Sequence, residues 1–293
     1  MSEQPKPGNC PYCKSPSSKI EYDLTWKDDR FATYHVARCR DCDVGFVLPL
    51  PTPDELNVLY NSLEYQAGDR TTINYTEASE EVVNAGIAKE RGFVAKYAPY
   101  VPSSGKILDI GAGWGTLLKS LSNKGYETVG LELSEVTARF AMDRLGLEIH
   151  TLPVEQLDQV PSGPFDLIIM RHTLEHFYDP NSVLQSVKQQ LSEDGRLIIE
   201  VPDYGSYDRK TYGTSWPGFG PYHLWYFTKP SLKRILKDNG FEVLKFHQFL
   251  AKDVFNGRSL PSRVCRSVLK RFGGAKWFSG RSVGLIAQKI KSS

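Results

Sequence analysis

The chain reads as an α/β protein, a doubly wound parallel sheet with helices on both faces, preceded by a small β-ribbon. Three observations predict this. From Lys106 onward, short apolar runs alternate with helical patterns, the signature of strands linked by crossover helices. The first of those strands, Ile107 to Ile110, runs into the glycine-rich turn Gly111-Ala112-Gly113-Trp114-Gly115. Ahead of the core, four of the five cysteines fall into two C-x-x-C pairs. A length of 293 residues suits one core of ordinary size with something appended.

Residues 1–50 carry Cys10-Pro11-Tyr12-Cys13, two β-rich stretches (Ile20 to Trp26, Phe31 to Arg38) and Cys39-Arg40-Asp41-Cys42. Two thiolates separated by two residues bind one tetrahedral ion from a single knuckle. Two such knuckles joined by a β-ribbon close a four-thiolate zinc site with no open position, which makes it structural. A redox dithiol would need a βαβ setting that is missing here. His35 lies within the ribbon but is surplus to a shell already complete, and reads as an ordinary strand histidine.

Residues 51–98 form a linker and lid. Pro49, Pro51 and Pro53 mark the break, and Thr52-Pro53-Asp54-Glu55 supplies an N-cap, a first-turn proline and early acids for a helix toward Asn61. The polar, aromatic stretch Tyr65 to Tyr75 reads as a cover, and Val83, Ile87, Val94 and Tyr97 give its supporting helix one apolar face.

Residues 99–293 hold the sheet. Its strands and helices are predicted at Ile107 to Ile110, Thr116 to Asn123, Thr128 to Glu132, Glu135 to Leu145, Leu167 to Met170, Pro180 to Leu191 and Arg196 to Val201, then a helix at Pro230 to Asn239 and strands at Glu242 to Phe249 and Val283 to Lys289. A basic segment at about 250–281 interrupts the end. On a helical wheel Val264, Cys265, Val268, Leu269 and Phe272 share one arc, with Arg263, Arg266, Lys270 and Arg271 opposite. A basic amphipathic helix followed by Trp277-Phe278 suits an anionic membrane surface through 260–278. A helix that covers a sheet edge or a dimer interface fits the same pattern.

The composition is globular, with 40% hydrophobic and 24% charged residues, which excludes a disordered or collagen-like chain. The start has no basic n-region with an apolar stretch behind it, and no apolar run approaches a membrane span; a cytoplasmic protein, peripheral at most to the inner membrane face, is expected. The net charge of +2 hides an asymmetry. After Asp253 there are nine Lys or Arg and no acid, so the first 253 residues carry 27 basic against 34 acidic groups, or −7. That excludes a protein coated in basic surface for nucleic acid, but leaves an anionic contact open at one end.

The chemistry centres on the glycine-rich turn. Glycine lets backbone approach a ligand closely. The third glycine of the dinucleotide fingerprint would fall at position 116, which is Thr, so the spacing departs from the NAD pattern. Asp109 stands just before the turn, and Glu132 ends the next strand, where a carboxylate can take both ribose hydroxyls.

In these residues the chain resembles the S-adenosylmethionine-dependent class I methyltransferases, specifically a bacterial sugar and small-molecule group with an N-terminal zinc ribbon and a Rossmann-like core. The resemblance rests on Leu108-Asp109-Ile110-Gly111-Ala112-Gly113-Trp114-Gly115, Gly130-Leu131-Glu132, Phe165-Asp166-Leu167-Ile168 and His172-Thr173-Leu174-Glu175-His176-Phe177-Tyr178-Asp179-Pro180, and covers about residues 100–250. It implies that Asp109, Gly111, Ala112 and Gly113 line the donor, with Gly111 and Gly113 against its methionine part. Glu132, with Leu133, would meet the ribose, and Val154 and Glu155 the adenine. Arg171 and His172 would wall the methyl donor, Tyr65 would cover it, and Arg91 would meet its carboxylate.

His172-Thr173-Leu174-Glu175-His176 also matches H-x-x-E-H, the inverted zinc-protease motif. The context argues against a protease, because that motif must lie within a helix, and here it follows a strand at the mouth of a parallel sheet. For methyl transfer, an in-line displacement at a sulfonium, the enzyme must place a nucleophile and remove its proton. His172 and His176 are candidate bases with Glu175 as orienter, as is His223 in Gly220-Pro221-Tyr222-His223-Leu224-Trp225-Tyr226-Phe227. That segment resembles the Tyr/His acceptor segment of sugar methyltransferases, with Tyr222 positioning the acceptor. The expected acceptor is a sugar, glycan intermediate, quinone or related small metabolite. An RNA methyltransferase gripping phosphates through ribbon and basic segment is the alternative, although Met170-Arg171-His172-Thr173 lacks the Asn/Asp-Pro-Pro-aromatic turn of base-amine methyltransferases. A donor-binding scaffold without turnover is a third reading.

Overall fold

The computed structural model describes residues 8–25, 33–60, 75–160, 163–250 and 279–291. The elements follow in chain order. The ribbon comprises β1 (Ser18–Thr25), β2 (Thr33–Cys39) and β3 (Gly45–Leu48), and α1 (Pro53–Tyr60), α2 (Glu80–Lys89) and α3 (Arg91–Tyr97) lead out of it. The core then runs β4 (Lys106–Ile110), α4 (Thr116–Ser122), β5 (Glu127–Leu131), α5 (Glu135–Leu145), β6 (Glu148–His150), β7 (Phe165–Arg171), α6 (Pro180–Gln190) and β8 (Leu191–Pro202). After these come α7 (Tyr207–Tyr212), β9 (Trp225–Tyr226), α8 (Lys229–Asp238), β10 (Phe241–Leu250) and β11 (Ser279–Lys289).

The main sheet has seven strands in the order β10-β11-β8-β7-β4-β5-β6. Strands β8, β7, β4, β5 and β6 are parallel, as the alternation predicts. The last two return antiparallel: β11 inserts beside β8, and β10 closes the edge. Residue alternation assigns the faces. Leu108, Ile110, Ile168 and Met170 pack into one core, and Ile107, Leu167 and Ile169 into the other with Phe93, Val94 and Tyr97 of α3. A strand covered on both sides has no solvent face, which explains the unbroken apolar runs. Helix ends follow local chemistry. Asp179 caps α6 through Asn181 N–H at 2.9 Å, ahead of Pro180 at the first turn, and Thr228 with Ser231 forms a capping box on α8.

The order reverses at β4, which has β5 on one side and β7 on the other. At such a switch point the crossovers leave in opposite directions and open a crevice beyond the strand ends. The segments that follow β4 and β7 are therefore the ones placed at a binding cleft.

The ribbon is joined to this core rather than strung ahead of it. Its sheet has the order β1-β2-β3-β9, and the fourth strand, Trp225–Tyr226, comes from the core. Val36, Phe46 and Val47 belong to the same buried cluster as Leu108, Ile168 and Leu232. Tyr12 donates to Asp238 at 2.6 Å, Tyr204 to Glu21 at 2.6 Å, and Thr228 to Asp43 at 2.5 Å.

Candidate active site

The turn after β4 is built from backbone. Gly111, Gly113 and Gly115 have φ of 79°, 54° and 74°, the left-handed region that a Cβ disfavours. Gly111 and Ala112 N–H both donate to the Leu131 carbonyl, at 2.8 and 3.1 Å, which ties the turn to the end of β5. Gly113 N–H donates to Glu132 at 2.7 Å, and Ser134 N–H to its other oxygen at 2.8 Å. Burial pushes the Glu132 carboxyl up, and these N–H groups oppose the shift. A Cβ on Gly111 would lie 2.5 Å from Thr173 Oγ1, whereas one on Gly113 would meet nothing within 4 Å. The turn thus presses on the segment after β7 and is open on its other side.

Beneath it Asp109 is buried, and its Oδ1 has no hydrogen-bond partner among the described residues. Burial pushes this carboxyl up to about 7, against the pull of the Arg171 charge. Arg171 makes a two-pronged ion pair with Glu90, at 2.5 and 3.1 Å, and lies over the Phe93 ring. Glu90 also accepts from Thr116 Oγ1 at 3.0 Å. Sequence reasoning assigned Arg171 to the donor wall and missed Glu90. The structure engages Arg171 with this acid, at the junction of α2 and α3, and the 81 positions between them carry no spacing signal.

The segment after β7 opens on strain. His172 has φ of 55°, uncommon for a residue with a Cβ, and its N–H is held by the Glu200 carbonyl at 2.7 Å. Its side chain is 48% exposed, while Glu175, in the short 3-10 turn Leu174–His176, is fully buried. His172 Nδ1 is 3.6 Å and His176 Nε2 4.0 Å from Glu175 Oε1. Burial pushes the Glu175 carboxyl up, but the His172 contact and the surrounding imidazoles of His176, His172 and His223 outweigh it and leave it below the usual range.

His176 Nδ1–H donates to the Tyr222 carbonyl at 3.0 Å and His223 Nδ1–H to the Gly218 carbonyl at 2.7 Å. A carbonyl only accepts, so each contact fixes the tautomer and leaves Nε2 unprotonated in the neutral ring. The Tyr222 ring stacks on His176 at 5.7 Å, and His223 meets His176 edge-on at 4.8 Å. Burial, then the His223 charge, pushes His176 down to about 4, with Glu175 pulling the other way; His176 is neutral at pH 7. The structure therefore brings together Glu175, His176, Tyr222 and His223 from two segments, with His172 at the rim.

The ribbon buttresses this wall. The β3–β9 pairing, Phe46 with Trp225 and Gly45 with Tyr226, begins two residues after His223, and Trp225 Nε1–H donates to the Phe177 carbonyl at 2.7 Å. In the ribbon, Cys10 and Cys42 Sγ lie 3.6 Å apart, as do Cys13 and Cys39, and all four sulfurs are within 4.8 Å of one another. Tetrahedral zinc with Zn–S of about 2.3 Å requires sulfurs roughly 3.8 Å apart. The donor set and its spacing fit zinc.

Other predicted residues fall as follows. Val154 is buried and Glu155 exposed just past β6, and Leu133 is half exposed beside Glu132. Arg91 is exposed at the start of α3; its neighbour Glu90 is the residue that reaches the strand ends. Tyr65, and the basic helix within 251–278, lie outside the described residues. Among the described residues no helix is long and apolar enough to cross a membrane.

Comparison with known proteins gives a consistent picture. The sequence family described as "Methyltransferase domain" matches residues 87–245. A ubiquinone biosynthesis O-methyltransferase of Acinetobacter baumannii (strain AYE) is 29% identical over 104 residues, which cover 33% of this chain and 43% of that protein. The chain thus spans less than half the length of that relative. Among solved structures, a SAM-dependent methyltransferase from Archaeoglobus fulgidus matches with a TM-score of 0.53 at 21% identity, over 69% of this chain and 94% of its own. The magnesium protoporphyrin IX methyltransferase of Synechocystis PCC 6803, solved with SAH, matches with a TM-score of 0.51 at 17% identity, over 79% and 97%. At these identities the structural likeness concerns the fold.

Proposed function

This chain belongs to the methyltransferase-domain family, and on that premise we propose that it moves a methyl group from S-adenosylmethionine to a hydroxyl or carbon acid of a small metabolite. A sugar, glycan intermediate, quinone or related compound is the acceptor class. The observation that carries this reading is the contact between two motifs: the open glycine turn at Gly111 to Gly113 lies against Thr173, two residues before the buried Glu175 of the Glu175, His176 and His223 cluster. Donor and acceptor chemistry are thus side by side at the strand ends. The curated relative named for O-methylation in ubiquinone biosynthesis supports a small acceptor.

The residues divide the work. The donor lies along the glycine turn, where only backbone stands in its way. Glu132, whose two oxygens each hold one N–H, keeps lone pairs for the ribose hydroxyls. Tyr222 and the imidazoles of His176 and His223 face the acceptor, and a neutral imidazole in hydrogen-bond reach takes the proton as the nucleophile attacks the methyl group. The sulfonium leaves as a neutral thioether, so no leaving-group acid is required.

The test has two arms. Donor labelled on its methyl group is incubated with the purified chain and either a metabolite extract or an RNA pool. Label in the small-molecule fraction supports the proposal, and label confined to RNA overturns the acceptor class. In the second arm, His223→Ala and His176→Ala variants are assayed for turnover and for S-adenosylhomocysteine binding. Full turnover in both would remove the imidazoles from the chemistry.

A further inference from the structure

The acceptor-side cluster holds more than a lone base requires. Glu175 is fully buried, and neither carboxylate oxygen meets a donor at hydrogen-bonding distance among the described residues. A carboxylate removed from water at this cost needs a positive partner. His176 and His223 each anchor Nδ1–H on a backbone carbonyl, the outer arrangement that metal-ligating imidazoles use to fix tautomer and direction. The candidate ligand atoms of Glu175, His176 and His223 lie within 4.8 Å of one another.

We propose that Glu175, His176 and His223 bind one divalent cation of the manganese-to-zinc series. Two imidazole nitrogens and one carboxylate on one side of an ion leave open positions for substrate oxygens. Ligands at about 2.1 Å from a shared ion stand roughly 3 to 3.5 Å apart. The observed 4.0 Å between His176 Nε2 and Glu175 Oε1 closes to that by less than an ångström. The ligand set is not the H-x-x-E-H motif. His172, exposed and left-handed, is replaced by His223, 47 positions beyond His176 and two residues ahead of the strand that completes the ribbon sheet.

The functional part of this inference rests on the proposed methyl transfer. An acceptor hydroxyl on the cation loses its proton to water more readily. Its oxygen then forms the new O–C bond as the C–S bond breaks, and the bonding pair stays on sulfur. The cation thereby takes over from the imidazole base as the group that readies the nucleophile.

The experiment uses the full chain with its four-thiolate site left zinc-loaded. Mn2+ is titrated in and its free signal followed by electron paramagnetic resonance; Co2+ is titrated in parallel and followed by calorimetry. One saturable site per chain for either ion is expected, weakened at least tenfold in Glu175→Gln and His223→Asn, and within threefold of wild type in His172→Asn. Far-ultraviolet circular dichroism and the thermal melting midpoint, unchanged across the set, report that the variants fold. Absence of saturable binding of both ions to the wild-type chain overturns the site. So does undiminished binding in Glu175→Gln and His223→Asn. Failure of the two readings is separable: ion binding without S-adenosylhomocysteine binding keeps the cation site and overturns the methyltransferase reading, and the reverse result overturns the cation site alone.

Discussion

The two walls of the cleft are made in different ways. The wall we assign to the donor is backbone: a turn between β4 and α4 whose N–H groups are tied to Leu131 and Glu132, all within about two dozen consecutive positions. The wall we assign to the acceptor is side chains, assembled from the turn after β7 and the segment before β9, and held from outside by a ribbon more than a hundred residues earlier. A wall of backbone is specified locally and tolerates little. One of side chains depends on every element that carries it, and can be retuned without disturbing the first. This division suits an enzyme family that keeps one donor and changes acceptors.

That contrast can be broken by experiment, and the sharpest attempt is on the acceptor side. His223→Ala is expected to lower turnover by about 10² to 10⁴-fold, with S-adenosylhomocysteine affinity, measured by calorimetry, within threefold of wild type. A parallel loss of donor binding would show that the walls are one unit. Next in size is Gly111→Ala. A side chain at φ of 79°, with its Cβ 2.5 Å from Thr173 Oγ1, adds left-handed strain and overlap of about 2 to 5 kcal/mol in all. Donor affinity should fall by at least thirtyfold, while Mn2+ or Co2+ uptake at the histidine cluster changes little.

A subtler break acts at a distance. Cys39→Ser opens the four-thiolate site, and its effect should travel through the β3–β9 pairing to His223. Turnover is expected to drop about tenfold or more, with KM for the acceptor rising and donor affinity unaltered. Equal damage to both substrates would mean that the ribbon supports the whole core. The smallest effect concerns Asp109. Its folded-state carboxyl sits at about 7 against roughly 3.9 in the unfolded chain, so between those values the folded state holds the extra proton and stability falls as pH rises. Asp109→Asn removes that slope. Urea denaturation of the donor-free chain should find the variant gaining by about 1 to 2 kcal/mol on wild type between pH 5 and pH 6.

The same contrast governs what could be read from the sequence. Asp109, the glycines and Glu132 were legible because strand, turn and helix follow one another directly, and the parallel core was legible from alternation alone. The cysteine knuckles were legible because each pair is local. The antiparallel β11 between β8 and β10 was not, since pairing order is decided by long-range packing. Nor was the Glu90 pair with Arg171, or the convergence of Glu175 with His223. His172, His176 and His223 could be named as candidates, but only the folded chain separates the exposed, strained His172 from the two imidazoles whose tautomers are fixed by carbonyls.

The borrowed strand of the ribbon also has a consequence in time. As the chain is synthesised, the cysteine knuckles and β1 to β3 emerge ahead of the core, but the strand that completes their sheet, Trp225–Tyr226, emerges only after the parallel core from β4 to β8. Until then β3 presents an open edge, of the kind that invites pairing with other chains. A metal ion captured early by the four cysteines would fix the knuckles before their partner strand exists, and would hold this edge in register through the interval when the nascent chain is most exposed to misassembly.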